Sequence, residues 1–117
     1  MIGEWLDIGS VDQILPGTAR TLKVTGGQEI AVFHTLDNRF HALVNACPHK
    51  AGPLSQGIVH GGVVTCPLHN WNISLKTGEA LGDDPEGFGA CVPVIPLRVD
   101  AGRIYLKRDA VVARLAA

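Results

Sequence analysis

Two short turns, Cys47-Pro48-His49 and Cys66-Pro67-Leu68-His69, constrain this chain more than any other feature. Each offers one thiolate and one imidazole, and sixteen residues separate His49 from Cys66. Thiolate and imidazole are protein ligands that suit zinc and iron–sulfur chemistry. A chain that must bring two such turns to one point needs a rigid scaffold beneath both loops. Pro48 and Pro67 each follow a cysteine, where a proline ring stiffens the turn and removes an N–H that would otherwise need a partner.

Three chemistries compete for the pattern. A [2Fe–2S] cluster can be held by two cysteines on one iron and two histidines on the other. Structural zinc also accepts two cysteines and two histidines, but zinc fingers usually pair the cysteines in one turn and the histidines in another. Here both turns are mixed. A Cys47–Cys66 disulfide with bystander histidines would need an oxidising compartment. An odd total of three cysteines is no secreted disulfide framework. The expected cofactor is therefore the cluster, with Cys47, His49, Cys66 and His69 as its ligands. Thiolates donate more charge than neutral imidazoles, so the added electron is expected on the iron that His49 and His69 hold.

Composition narrows the function further. The 117 residues suit a single domain over 1–117, and 46% hydrophobic with 18% charged residues fits a compact fold. A net charge of −1 provides no basic field for nucleic acid or an anionic membrane. No apolar run approaches the ~20 residues needed to cross a bilayer, and Met1–Asp7 lacks the basic and apolar regions of a signal peptide. A soluble, cytoplasmic protein is expected. No Ser-His-Asp set, phosphate-cradling loop or catalytic carboxylate pair stands out, and Asp83 and Asp84 read as solvated. The chain is not expected to be catalytic alone.

Short alternating runs between glycine-bearing turns read as all-β. Ser10–Gln13 is a candidate capping box opening one helical turn, ended by Pro16-Gly17. Residues 19–25 and 28–36 flank Gly26-Gly27, a hairpin signal, and Asp37-Asn38 turns the chain into 39–45. There Phe40, Ala42 and Val44 are expected on one side, with Arg39, His41 and Asn45 on the other. The ligand turns at 46–53 and 66–70 bracket a hairpin across Gly61-Gly62. A strand over 71–75 follows, then a turn at 76–78, a loop at 81–90, and strands at 92–99 and 103–108 joined at Ala101-Gly102. The tail from Asp109 reads as a short helix or a frayed end. Cys91 reads as a small packed side chain, and Trp71 as core packing. Outside any Cys-Pro context, His34, His41 and His60 read as strand-face or turn residues, and Lys50 as a solvated or docking lysine.

The run Cys47-Pro-His-Lys-Ala-Gly-Pro-Leu-Ser-Gln-Gly57, with Cys66-Pro-Leu-His-Asn-Trp-Asn-Ile-Ser-Leu-Lys-Thr-Gly-Glu79, resembles the Rieske family. Within it the chain is most similar to the small subunits of assimilatory NAD(P)H-dependent nitrite reductases, over about Trp5 to Leu106. The resemblance implies an antiparallel β-sandwich base with a small cluster-binding lobe at about 45–76. It implies that Cys47 and Cys66 bind one iron and that His49 and His69 bind the other. It also implies a large partner subunit carrying flavin, a [4Fe–4S] cluster and sirohaem, which reduces nitrite to ammonia. Two alternatives stay open. One is a free Rieske ferredoxin serving a ring-hydroxylating oxygenase; the other is a non-redox interaction module stiffened by its metal.

Respiratory Rieske proteins resemble Cys-Thr-His-Leu-Gly-Cys and Cys-Pro-Cys-His, with a disulfide between the extra cysteines. Those positions are Gly52 and Leu68 here, so that bridge is impossible. The hydroxyl-bearing serine and tyrosine of the respiratory forms are matched by Trp71 and Ile73. Fewer hydrogen bonds to sulfur leave the more negative, reduced cluster less stabilised. A redox titration should give a midpoint below about +100 mV, in the lower part of a family span of roughly −150 to +300 mV; a value well above that overturns the argument.

Overall fold

The computed structural model describes residues 5–23, 29–46, 53–67, 71–81 and 91–107. The Gly26-Gly27 turn, Lys50, Gly52, Leu68, the loop from Gly82 to Ala90 and the tail from Arg108 lie outside the described residues.

Capping at Ser10 forms as its side chain suggests. Ser10 Oγ accepts from Asp12 N at 3.2 Å, and Gln13 Oε1 accepts from Ser10 N at 3.2 Å. The resulting 3-10 turn covers Val11–Gln13. It separates β1 (Trp5–Ser10) from β2 (Thr18–Leu22), and β3 (Ile30–His34) and β4 (Phe40–Val44) follow. A second 3-10 turn at Leu54–Gln56 precedes β5 (Ile58–His60), β6 (Val63–Thr65), β7 (Asn72–Ser74) and β8 (Ala80–Leu81). The last strands are β9 (Val94–Ile95), β10 (Leu97–Asp100) and β11 (Arg103–Lys107). The protein is all-β, and every pairing among the described strands is antiparallel.

The strands form three sheets, ordered β1-β11-β10, β2-β3-β4-β9 and β5-β6-β7-β8. The middle one is the keel. Every residue of β3 is buried, and its side chains divide by parity. Ile30 and Val32 join Ile14, Ala42, Ile95, Ile104 and Leu106 in one core, against the β1-β11-β10 sheet. Ala31 and Phe33 join Leu43, Leu54, Val64, Ile73 and Leu75 in the other, against the β5-β8 sheet. The expected base and lobe are thus two halves of a core split by one sheet. This corrects the simple alternation expected for β4, because Leu43 is as fully buried as Ala42 and Val44.

The N-terminal strand is an addition to the sequence reading. A bulge between Asp7 and Gly9, where Gly9 has φ +134°, breaks the alternation that would have announced it. Asp7 and Arg103 fasten β1 to β11 through a contact of 2.9 Å, and that hydrogen bond holds the Asp7 carboxyl below its usual range. Among the described residues no helix is long and apolar enough to cross a membrane.

Two glycines of the lobe sheet share a left-handed backbone but not an environment. Gly78 has φ +77°, and a Cβ there would lie 2.1 Å from Val92 O; Gly61 has φ +56° with nothing within 4 Å. Gly61→Ala should cost about 1–2 kcal/mol, the left-handed penalty alone. Gly78→Ala must also push the Val92 backbone away and should cost roughly 3 kcal/mol or more. Urea unfolding of the two variants checks the order; equal losses would contradict the crowding at Gly78.

Candidate metal centre

Of the four expected ligands, Cys66 is described; Cys47, His49 and His69 lie outside the described residues. What can be read is how the chain delivers each ligand turn. Thr65 ends β6, Cys66 and Pro67 open the second turn, and Trp71 leads into β7. The turn is closed by Cys66 N donating to Trp71 O at 2.7 Å. Cys66 is fully buried and Trp71 is 7% exposed. Both sit in the core shared with Leu54, Val59, Val64 and Ile73, so Trp71 is core packing as its size suggests.

The first ligand segment is closed in the same manner, by a residue the sequence reading placed merely on the outer side of β4. Asn45 sits just before it and Ser55 just after, and Ser55 N donates to Asn45 Oδ1 at 2.8 Å. The other end of that amide donates to Glu29 Oε1 at 2.6 Å, and Asn45 N donates to Glu29 O at 2.8 Å. One asparagine therefore links the residues on either side of the 46–53 segment, Asn45 and Ser55, and joins them to Glu29 just ahead of β3. Nothing in a lone Asn at a strand end announces this; the signal would have been its position two residues ahead of Cys47.

The two segments meet at their bases. Leu54 is fully buried in the core that holds Cys66. Gly57 passes so close to β6 that a Cβ on it would lie 2.3 Å from Thr65 O, one residue from Cys66. The end of the first ligand segment thus abuts the start of the second. The donor set fits a cluster. The Cys66 thiol lies in an apolar, water-poor setting, and Leu54, just past the segment that bears Cys47 and His49, packs in the same core. Among the described residues alone, no group of three His, Cys, Asp or Glu is gathered for a metal ion.

The remaining candidates fall outside this place. His34 is buried in β3, its Nδ1 2.6 Å from Ile14 O and its Nε2 2.8 Å from Asn38 Oδ1, and its ring stacks on Phe40 at 4.0 Å. Burial holds the His41 imidazole below its usual range, against an opposing pull from Asp37, and so favours its neutral form. His60 lies on the outer face of β5, with Nε2 2.7 Å from Thr65 Oγ1. Cys91 is a correction. It is exposed rather than packed, held in a bridge opposite Glu79, and Val92 takes the inward place at 2% exposure.

Comparison with known proteins agrees with this layout. A profile of the Rieske [2Fe-2S] domain matches residues 4–93. The ferredoxin component of the naphthalene 1,2-dioxygenase/salicylate 5-hydroxylase systems of a Ralstonia species is 30% identical over 115 residues, covering 93% of this chain and all of the relative. Among solved structures, the complex of reduced oxygenase and oxidised ferredoxin of carbazole 1,9a-dioxygenase matches with a TM-score of 0.77 at 27% identity, over 88% of this chain and 92% of that one. A structure assigned as the NADH-dependent nitrite reductase small subunit of Mycobacterium tuberculosis matches with a TM-score of 0.75 at 31% identity, over 89% and 94%.

A pair of substitutions tests the histidine assignment. His69→Ala removes one imidazole and should abolish the cluster's visible and EPR signals. His60→Ala removes a ring that is not an expected ligand and should leave the cluster bound. Cluster signals retained in both variants would show that the ligand set is wrong.

Proposed function

The chain belongs to the Rieske [2Fe–2S] family, and we propose that it is the small subunit of a cytoplasmic, assimilatory NAD(P)H-dependent nitrite reductase. As a family member it is an electron-transfer component of an oxidoreductase system, carrying a Rieske-type cluster. The finer assignment is carried by the whole-length likeness to the M. tuberculosis small subunit. It is joined by the His49-Lys-Ala-Gly-Pro-Leu54, Cys66-Pro-Leu-His-Asn-Trp71 and Thr77-Gly-Glu-Ala80 runs.

In this reading Cys47 and Cys66 hold one iron, and His49 and His69 hold the other. When bound, the cluster accepts and returns single electrons. The chain's own part is to hold and insulate. Cys66 and Trp71 keep water from one side of the site, and Asn45 with Ser55 fixes the other ligand segment. Nitrite reduction needs six electrons and a substrate-binding metal centre, which fall to a large subunit with flavin, [4Fe–4S] and sirohaem.

A second reading has its own support. The Ralstonia relative, matched along its full length, is a ferredoxin component of dioxygenase and hydroxylase systems. A free ferredoxin would bind its oxygenase weakly and leave, whereas a subunit stays. Tagged protein should be recovered from its native cells grown on nitrate as sole nitrogen source. Stoichiometric recovery of a large partner with sirohaem absorbance and nitrite-dependent NAD(P)H oxidation is the expected result. A lone red-brown protein overturns the subunit reading in favour of the ferredoxin.

A further inference from the structure

Outside the ligand set, the outer face of the lobe sheet carries a hydrogen-bonded chain that ends at the base of the second ligand turn. Thr65 and Asn72 are direct partners in the β6–β7 register, with Val64 and Ile73 the next pair inward. Val64 and Ile73 are fully buried, so the period of two puts Thr65 and Asn72 on the opposite, outward face. Thr65 Oγ1 donates its one proton to Asn72 Oδ1 at 2.6 Å. The same oxygen lies 2.7 Å from His60 Nε2 and, with its proton already given, can only accept. His60 is therefore protonated at Nε2, and the chain runs in one direction, from His60 through Thr65 to Asn72. Hydrogen bonds aligned in this way polarise and strengthen one another.

We propose that Thr65 is a positioning residue for the cluster, acting with His60 and Asn72 as a latch across the mouth of the Cys66 turn. The inference rests on the reading of Cys66 as a ligand and goes beyond it. Thr65 immediately precedes Cys66, and Asn72 immediately follows Trp71. Between them Cys66 N donates to Trp71 O at the mouth of the turn. Opening that mouth would swing the Cys66 thiolate, and the side-chain bond lies one residue from it. His60 adds a third strand, β5, to the same fastening. A merely structural cross-strand pair would add to sheet stability and leave the electronic character of the centre untouched. A latch on the ligand turn changes that character, because the orientation of the thiolate on its iron changes with it.

The test uses the full-length holoprotein and reads the EPR spectrum of the reduced cluster with the rate of its bleaching in excess chelator. Thr65→Val keeps the side-chain shape and deletes the hydroxyl. It should shift the EPR g-values and speed bleaching by roughly two- to tenfold, the worth of one such hydrogen bond in an opening equilibrium. Thr65→Ser, which restores the hydroxyl, should return both readouts to wild type. His60→Phe, on the exposed strand β5, should move them less in the same direction, and keeps the test alive should Thr65→Val fail to fold. Cys66→Ser separates the two levels of the argument. If it loses the Rieske signal while Thr65→Val and His60→Phe match wild type in both readouts, the latch is overturned and the ligand reading stands. A Rieske signal that survives Cys66→Ser overturns the ligand reading, and the latch with it.

Discussion

A strand with no exposed face needs a packing layer on each side, and β3 is such a strand. This constraint organises the molecule. Burial of Ile30 and Val32 requires the β1-β11-β10 sheet, and burial of Ala31 and Phe33 requires the lobe. At roughly 1.5–3 kcal/mol for each large apolar side chain removed from water, neither side can be left open. The lobe is therefore held by the hydrophobic core of the base and not by its connecting loops. Cys66 belongs to that same core, so the scaffold reaches the proposed ligand Cys66 through continuous packing.

Polar fastenings then do what apolar packing cannot, which is to fix direction. Packing buries Cys66 and Leu54 without specifying how the turns above them are oriented. Asn45 supplies orientation for the first segment by joining its two ends, and the pair Thr65 and Asn72 does so for the second. Both devices use side chains one or two residues outside a ligand turn, Asn45 directly after β4 and Thr65 and Asn72 on the paired strands β6 and β7. Directional bonds on rigid strands place a site more sharply than the same bonds made within a mobile loop.

The Rieske cofactor was legible in the sequence because it demands particular residue types at particular spacings, and the family match over residues 4–93 agrees with it; Cys47, His49, Cys66 and His69 as its ligands are a proposal from that spacing. The hairpin across Gly61-Gly62 and the turn at Ala101-Gly102 were legible because turn chemistry is local, and β5–β6 and β10–β11 pair around them. What depends on which strands become neighbours was not. Leu43 is buried because its sheet has a core on both faces, a fact no window of β4 contains. For Cys91 and Val92, alternation leaves open which of the two points inward, and the core takes the valine. Strand β1 escaped notice because Gly9 interrupts its period. Asn45 and Thr65 looked like ordinary polar strand residues, since their partners, Ser55 in a later 3-10 turn and Asn72 across the β6–β7 register, are set by the fold rather than by proximity in the chain.

The placement of Cys66 among Phe33, Leu43 and Ile73 has a thermodynamic consequence. A ligand that binds only the folded form stabilises that form by mass action, and with Cys66 as the proposed ligand one of its anchors is also a member of the main core. Iron loading and the final packing of the lobe against the central sheet are then one linked equilibrium, not two independent events. Loss of the cluster would loosen the protein from within, along the buried face of β3, so that metal status is communicated to the whole scaffold without any moving part.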